Sequence, residues 1–381
     1  MKIICLIVLV AIVASTFADN KIVCYYESWA TYRSGEGKYT IQDINLKMCT
    51  HVIYSFIGIN KNGAIKLLDD AGDLTKFTKY VKSKSNVKAL VSIGGASEGS
   101  AKFSTVVSNS NVRQKFVKNA VAFLEKYNFD GLDVDWEYPN QGSGSHKSDK
   151  QNFVELLKEL KQAFSKKSYI LSAAVGAEAD LASKSYLISS ISKYLDFINI
   201  MTYDFNDPGN SYTGMNAPLY ASSKDNDYQK TLNVNAAVRH WLSQGAPANK
   251  IIVGVPFYGI TFTLKDASNH GLHAKTTGPG KAGPYTDEAG SIGYNELCVD
   301  LKKSGWHVVR DEQEKVPYAY NGKQWISYDD AQSIREKAQF IKSLGLGGAM
   351  VWSIDTDDFR GNCGKKYPLL SALHDVLKNC T

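Results

Sequence analysis

Residues 129–139 read FDGLDVDWEYP, and this stretch decides the predicted fold. Apolar residues alternate in it with acids, in the order Leu132, Asp133, Val134, Asp135, Trp136 and Glu137. Because successive side chains of a β-strand point to opposite faces, the three acids share one face. Carboxylates this close disfavour one another's ionised form, so their pKa values separate. The stretch therefore predicts a half-apolar strand with a cluster of perturbed acids, a pattern typical of catalytic sites.

Seven further stretches have the composition of strands, and helical patterns separate many of them. The predicted strands lie near 21–28, 51–59, 88–95, 129–137, 169–176, 195–204, 251–259 and 347–355. Amphipathic helices are predicted near 111–127, 149–166, 231–244 and 329–343, with Asp149 as the N-cap of the second. Eight strands that alternate with helices favour an α/β fold, a (β/α)8 TIM barrel. A doubly wound open sheet is the alternative, but the glycine-rich turn of dinucleotide-binding folds is missing after the first strand.

The interval between the seventh and eighth strands is the longest. Its first part, residues 260–326, is rich in Gly, Pro and Tyr and contains short β-like runs. We predict a small α+β insertion domain there, while residues 19–259 and 327–381 form the barrel. Neither a Ser/Thr/Pro-rich linker nor a Cys-dense tail follows the barrel, so we expect no separate carbohydrate-binding module.

The N-terminus has the pattern of a secretory signal peptide. Lys2 precedes an apolar run over 3–13, and small residues lead to a cleavage site after Ala18, which defines residues 1–18 as the signal peptide. That run is too short to span a bilayer, so we expect a secreted, extracellular protein without a membrane partner. The formal charge of +6 becomes +5 without Lys2, and the lysines are scattered. This indicates a solvated basic surface and argues against nucleic-acid binding; we expect a monomer.

Five cysteines remain after the predicted cleavage: Cys24, Cys49, Cys298, Cys363 and Cys380. Export favours disulfides, and an odd number leaves at least one thiol unpaired or paired between chains. No CxxC pair or Cys/His ligand spacing occurs. We therefore predict no structural zinc site and no cofactor.

In a barrel, the apolar face of residues 129–137 suits the helix layer, and the acids point inward. Glu137 then lies last, at the C-terminal rim where active sites form. Burial and neighbouring carboxylates can keep it protonated as a general acid, while Asp135 and Asp133 share a proton or divide roles. The alternatives are a cation site, a solvated edge strand, or a metal-dependent glycosyltransferase. A helix-flanked calcium loop needs oxygen ligands spread over about twelve residues, which the interleaved apolar residues do not provide.

This stretch resembles the signature of family 18 glycoside hydrolases, the chitinases and chitinase-like proteins. Other segments are similar to the family in the same order, namely residues 24–26, 92–95, 201–205 and 347–352. The resemblance covers essentially all of 19–381 and is strongest to secreted animal members. It implies hydrolysis of β-1,4-linked N-acetylglucosamine in chitin or chitooligosaccharides, by a substrate-assisted retaining mechanism. A chitinase-like lectin or signalling protein is the alternative.

The resemblance also implies roles for individual residues. Glu137 is the general acid and base, Asp135 orients the substrate acetamido group, Asp133 tunes the proton of Asp135, and Tyr203 contacts the acetamido group together with Asp204. The expected sugar-binding residues are Tyr26, Phe56, Met201, Asp204, Tyr258 and Trp352, with Trp352 as the stacking floor. The same register suggests disulfides Cys24–Cys49 and Cys298–Cys363. It also suggests cis peptide bonds at Ser55–Phe56 and Trp352–Ser353.

Three positions depart from the pattern of active relatives. Ala96 stands where many relatives have a Trp that stacks a sugar on the leaving-group side. Residues 206–209 read NDPG instead of His-Gly-x-Trp, and Ile260 replaces an Arg that contacts substrate. Stacking on an aromatic side chain contributes on the order of 1 kcal/mol per contact. The sequence therefore predicts intact catalytic acids, but weaker holding of a long polymer and weak action on crystalline chitin.

Overall fold

The computed structural model describes residues 20–84 and 86–378, which form fifteen strands and ten α-helices. The predicted signal peptide and Cys380 lie outside these residues. The strands are β1 (Lys21–Glu27), β2 (His51–Ile59), β3 (Ile65–Lys66), β4 (Lys88–Gly94), β5 (Gly131–Asp135), β6 (Ile170–Gly176), β7 (Phe197–Met201), β8 (Ile251–Pro256), β9 (Tyr258–Leu264), β10 (Thr276–Pro279), β11 (Ser291–Gly293), β12 (His307–Asp311), β13 (Val316–Asn321), β14 (Gln324–Ser327) and β15 (Gly348–Trp352).

Eight of these strands form a closed parallel barrel. Around the ring the order is β1, β2, β4, β5, β6, β7, β8 and β15, and β15 pairs again with β1. The ring closes in parallel register, with Lys21 opposite Gly348 on one side of β1 and Val23 opposite His51 on the other. The predicted (β/α)8 barrel is confirmed, and the open doubly wound sheet is excluded because its two edge strands would not pair.

Helices surround the barrel. They are α1 (Ala71–Val81), α2 (Ser100–Ser108), α3 (Ser110–Tyr127), α4 (Asp149–Ser165), α5 (Ala179–Ser185), α6 (Ile188–Tyr194), α7 (Val234–Ser243), α8 (Tyr294–Asp300), α9 (Ala331–Ser343) and α10 (Pro368–Lys378). The four predicted helices correspond to α3, α4, α7 and α9. The prediction of Asp149 as an N-cap is wrong, since Ser148 precedes the helix and Asp149 is its first residue. The buried Asp149 carboxylate instead accepts hydrogen bonds from the His146 amide and the Ser104 hydroxyl.

A second, antiparallel sheet lies between barrel strands β8 and β15 in sequence. Its order is β10, β9, β14, β13 and β12, with β11 paired to β9, and it spans Tyr258 to Ser327 together with α8. The stretch 251–259, predicted as one strand, divides at Phe257 into the whole of barrel strand β8 and the first two residues of β9 in the second sheet. The domain bounds at 260 and 326 stay a prediction.

Strand β5 shows why the chain adopts this register. Leu132, Val134 and Trp136 belong to the apolar layer between barrel and helices. The Trp136 ring stacks on Phe103 of α2 at 5.3 Å and meets the edge of Phe153 of α4 at 5.7 Å. A slip of one residue would bury the acids in this layer and turn Trp136 inward. Burial of the apolar face therefore fixes the acids toward the barrel interior.

Two disulfides connect separate parts of the fold. Cys24 of β1 is bonded to Cys49, just before β2, and Cys298 of α8 is bonded to Cys363, just before α10. Both predicted pairings are confirmed. Across the described ranges, no helix has the length and apolar character needed to cross a bilayer.

Candidate active site

A cavity of about 740 Å³ opens at the carboxyl ends of the barrel strands. Most of the predicted site residues lie on its wall: Phe56, Asp135, Glu137, Met201, Tyr203, Asp204 and Trp352. They come from different strands that are far apart in sequence, and the closed barrel brings their ends together. This is the face on which TIM barrels carry their active sites.

Asp133 lies below the cavity and is fully buried. Its Oδ2 accepts hydrogen bonds from the hydroxyls of Tyr25 at 2.7 Å and Ser92 at 2.8 Å. Its Oδ1 accepts from the Ser172 hydroxyl at 2.7 Å and the Asn199 amide at 3.2 Å. Burial raises the pKa of Asp133, and these hydrogen bonds oppose that rise. Four donors around one carboxylate favour its ionised form.

Asp135 lies above Asp133 and has a different environment. It is buried, and its Oδ1 has no hydrogen-bond partner. Burial raises its pKa well above the ordinary value, and the charges of Glu137 and Asp133 add to the effect. Within the described part of the chain, no hydrogen bond links the two aspartates. The carboxyl group of Asp135 therefore keeps a proton to higher pH than a free aspartate and has an oxygen available for a ligand.

Glu137 follows β5 by two residues and faces the cavity. Burial raises the pKa of Glu137; a hydrogen bond with Tyr138 opposes the rise, and the charge of Asp204 adds to it. The hydroxyl of Ser100, at the start of α2, donates to the Tyr138 carbonyl oxygen at 2.9 Å. Glu137 thus has a carboxyl group with a raised pKa, and its neighbour Tyr138 is held to the start of α2 by the hydrogen bond from Ser100.

Strand β7 supplies a second group. Met201 and Tyr203 line the wall, and the Tyr203 ring meets Tyr258 edge-on at 6.1 Å. The Tyr258 hydroxyl donates to Asp204 Oδ1 at 2.5 Å. Burial within the cavity raises the pKa of Asp204, and this hydrogen bond opposes the rise. Tyr258 is not among the residues that line the cavity; its hydroxyl holds Asp204, and its contact with a sugar stays a prediction.

One end of the cavity is aromatic and is formed by Trp29, Phe56 and Trp352, which we call the aromatic end. Phe56 stacks on Trp352 at 5.7 Å and on Trp29 at 6.0 Å. Trp29 is 41% exposed and lies at the rim. Gly95 has a φ of 84°, and a Cβ there would come within 2.7 Å of the Phe56 ring, so glycine is required.

Cis peptide bonds are present at both expected positions, Ser55–Phe56 and Trp352–Ser353. A third, between Glu137 and Tyr138, was not expected from the sequence. All three lie next to residues of the cavity wall.

The prediction of Tyr26 as a sugar-binding residue is wrong. Its ring lies outside the barrel, 5.8 Å from Tyr54 and 6.0 Å from Phe77. Side chains alternate along β1, so its neighbour Tyr25 points inward instead, where it contacts Asp133 and the Trp352 ring at 5.3 Å. Since residues 22–27 of β1 are all buried, the apolar run of this strand carries no signal that could have identified Tyr25.

The three departures lie in different surroundings. Ala96 lines the cavity, as does Glu98 nearby. Ile260 is 5% exposed and packs in the second sheet with Phe262 and Met215. Asn206 is buried, and its amide donates to the Met215 carbonyl oxygen at 2.9 Å. Ala96 is therefore the departure that changes the cavity wall itself.

One group of described residues has the spacing of a metal site, Cys298, Asp358 and Cys363. Both cysteines are bonded to each other, so their sulfurs cannot act as thiolate ligands. Asp358 accepts hydrogen bonds from the amides of Gly361, Asn362 and Cys363. The group is explained as the anchor of a loop.

Comparison with known proteins agrees with this geometry. Residues 21–357 match the family model of Glycosyl hydrolases family 18. The chain is 41% identical over 376 residues to an endochitinase of Manduca sexta. The alignment covers 95% of this chain and 68% of that protein. It superposes on the crystal structure of Ostrinia furnacalis Group IV chitinase with a TM-score of 0.93 at 44% identity, covering 95% of this chain and 100% of that one.

A third relative differs in activity. Human YKL-39, described as a pseudo-chitinase with retained chitooligosaccharide binding properties, superposes with a TM-score of 0.89 at 38% identity. The match covers 94% of this chain and 100% of that one. Active chitinases and a chitinase-like protein thus share this fold. The chain belongs to glycosyl hydrolase family 18, among both chitinases and chitinase-like proteins.

Proposed function

We propose that this protein is a secreted chitinase that hydrolyses β-1,4 links between N-acetylglucosamine units with retention of configuration. One observation carries the proposal. Asp135 and Glu137, both with raised pKa values, line one cavity above a carboxylate that accepts four hydrogen bonds. An inactive carbohydrate-binding protein has no need of such an arrangement, since perturbed acids are costly to bury.

The mechanism requires one proton donor and a nucleophile from the substrate. Glu137 protonates the glycosidic oxygen, and the carbonyl oxygen of the N-acetyl group attacks the anomeric carbon as the bond to the leaving sugar breaks. The product of this step is an oxazolinium ion. Glu137, now ionised, takes a proton from water, and that water attacks the anomeric carbon and reopens the ring. The configuration is retained because two displacements occur.

Asp135 supports the first displacement. Its unpartnered Oδ1 is available for the N–H of the acetamido group. As positive charge develops on the oxazolinium ring, a negative neighbour stabilises it. Asp133 is held by four donors, and its charge raises the pKa of Asp135. We infer that the proton of Asp135 passes to Asp133 as the oxazolinium ion forms, so that Asp135 becomes the negative neighbour, and that it returns when water reopens the ring.

The remaining wall residues hold the sugar. Burial and, next, the charge of Asp135 raise the pKa of Tyr203, so the two side chains interact, and the Tyr203 hydroxyl suits the acetamido carbonyl oxygen. Trp352 provides the flat floor for the sugar ring, since stacking on aromatic faces is the usual mode of binding apolar sugar faces. Asp204, oriented by Tyr258, offers a carboxylate for a hydroxyl or amide of the sugar. Met201 lines the wall of the cavity beside this sugar.

A chitooligosaccharide-binding protein without turnover is the second candidate. The loss of the aromatic residue at Ala96 favours it, because a weaker platform on the leaving-group side affects catalysis on polymers most. YKL-39 retains binding as a pseudo-chitinase. The two candidates differ in one measurable property, which is cleavage.

Glu137→Gln separates the candidates. It keeps the size of the side chain and removes the transferable proton, so turnover of a fluorogenic chitobioside should fall by about a thousandfold or more. Binding of a chitooligosaccharide, measured by calorimetry, should remain. Product anomers from the wild type, resolved by NMR, should be initially β. Full activity of the variant contradicts the mechanism, while binding by a wild-type protein that shows no turnover favours the second candidate.

Export is part of the proposal. The two disulfides suit an oxidising compartment. Expression of the full chain in animal cells should deliver a monomeric protein to the medium with Asp19 as its first residue. N-terminal sequencing and light scattering measure both properties, and retention of residues 1–18 in the secreted product contradicts the predicted cleavage.

A further inference from the structure

The wall of the cavity next to Ala96 is charged. Glu98 and Lys102 both line it, on the connection from β4 into the first turn of α2. We call Ala96, Glu98 and Lys102 the charged end. A tryptophan in place of Ala96 would offer a stacking surface, whereas this wall offers an ammonium group and a carboxylate.

Glu98 is anchored rather than solvated. Its side chain is 7% exposed, and its Oε1 accepts hydrogen bonds from the Ile59 amide at 3.1 Å and the Lys102 ammonium at 2.8 Å. Its Oε2 lies over Gly58, where an added Cβ would come within 3.1 Å. A side chain at Gly58 would press on this carboxylate, so the position of Glu98 is determined by β2.

One N–H of the Lys102 ammonium group donates to Glu98, and the other two are available for a ligand. An ammonium group has three N–H donors, and Glu98 accepts one of them. Among the described residues, no second acceptor contacts Lys102, and its side chain is 37% exposed. A donor that is fixed at one point and open toward a cavity suits a ligand oxygen.

The first turn of α2 is also fixed relative to Glu137. The Trp136 ring nitrogen donates to the Ser100 hydroxyl at 3.1 Å, and that hydroxyl donates to the Tyr138 carbonyl oxygen at 2.9 Å. Movement of the turn would break these bonds on both sides of Glu137. The position of Lys102 is thus coupled to the residue that protonates the glycosidic oxygen.

We propose that Lys102, oriented by Glu98, is a specificity-determining residue that donates a hydrogen bond to the sugar on the leaving-group side. This inference rests on the proposed function. The acceptor is a hydroxyl or acetamido carbonyl oxygen of a neutral N-acetylated unit. The protein therefore recognises this unit by a charged hydrogen bond where many relatives use a stacked aromatic ring.

Two substrates test the inference. A chitopentaose places a sugar on the leaving-group side, whereas a fluorogenic chitobioside places a coumarin there. Lys102→Met keeps the length of the side chain and removes all its donors. The ratio of kcat/KM for chitopentaose to that for the chitobioside should fall about fivefold in this variant. Lys102→Arg keeps the charge and the donors and should restore much of the ratio.

Lys167→Met is the matched control. Lys167 also forms an ion pair, with Glu125 at 2.9 Å, but it precedes β6 at the opposite end of the barrel. Its loss should leave the ratio as in the wild type, and Lys167→Met should melt within about 2 °C of the wild type, since exposed ion pairs contribute little to stability. Because Glu98 is only 7% exposed, Lys102→Met can melt lower, and its ratio is measured well below its melting temperature. An unchanged ratio in Lys102→Met, or an equal fall in Lys167→Met, overturns the inference.

The outcome also distinguishes the inference from the proposed function. If the wild type cleaves neither substrate, chitopentaose binding is measured by calorimetry in the wild type and in Lys102→Met. Weaker binding in the variant supports the role of Lys102 even without turnover, and equal binding overturns it. If the wild type neither cleaves nor binds, the proposed function and the inference both fail.

Discussion

The aromatic end and the charged end of the cavity offer a ligand different kinds of contact. At the aromatic end, the rings of Trp29, Phe56 and Trp352 lie within 6.4 Å of one another, and the Tyr25 ring lies 5.3 Å from that of Trp352. At the charged end, Glu98 and Lys102 form an ion pair beside Ala96. Asp135 and Glu137 line the same cavity. Under the proposed function, the acids would cleave the substrate and the two ends would hold the polymer, so polymer binding can change at one end while the cleavage chemistry stays the same.

The largest effect should come from the aromatic end. Trp352→Ala removes the ring beneath the sugar and the contacts with Phe56 and Tyr25, so kcat/KM for chitopentaose should fall about a hundredfold. Trp352→Phe retains a stacking face and should lose less. Steady-state kinetics on the folded variants measures this. If kcat/KM for chitopentaose fell by less than about threefold, the aromatic end would contribute no more to substrate binding than the charged end.

Asp204 should have the next largest effect, through charge. Burial is the main cause of the raised pKa of Glu137, and the negative charge of Asp204 adds to it. Asp204→Asn removes that charge, so the pKa of Glu137 falls and its acidic form is lost at lower pH. The basic limb of the kcat/KM profile should move to lower pH, with about tenfold lower activity at the optimum from the lost hydrogen bond. A basic limb that stays in place or moves to higher pH contradicts this.

The charged end can be converted toward the aromatic type. Ala96→Trp restores the side chain that many relatives have, and it should lower KM for chitopentaose about fivefold if the ring stacks on the sugar. The fluorogenic chitobioside serves as the comparison substrate, and a smaller change is expected there. If KM rises for both substrates, the space beside Glu98 is too small for the indole ring. The charged end then cannot be converted into an aromatic platform.

The sequence was sufficient for the barrel and for the acids. In residues 129–137 the apolar side chains alternate with acids, and the same apolar side chains are the ones buried under the helices. The face of the acids and the register of the strand could therefore be predicted from the local sequence. For Tyr26 the pattern was insufficient, because every residue from 22 to 27 of β1 is buried and the apolar run does not show which phase points inward. Three hydrogen-bond donors to Asp133 were also missed, since Ser92, Ser172 and Asn199 come from three other strands and meet only when the barrel closes.

The role of Glu98 and Lys102 could not be predicted for a similar reason. At i and i+4 they form the pattern of an ordinary solvated ion pair. Their position in the cavity depends on Gly58 and Ile59 of a neighbouring strand, which is non-local information.

The smallest effect should come from the rim of the aromatic end. Trp29 is 41% exposed, and its ring lies 6.0 Å from that of Phe56 and 6.4 Å from that of Trp352, so its exposed part can stack on a sugar beyond the one over Trp352. Trp29→Ala should raise KM for chitohexaose about threefold and leave kcat nearly unchanged. Chitotriose, which is too short to reach both the rim and the cleavage point, should show a smaller change. Because Lys102→Met is expected to act on the sugar beyond the cleaved bond, a double variant should show additive losses. Strong non-additivity would show that the two ends hold the polymer as one unit rather than as separate sites.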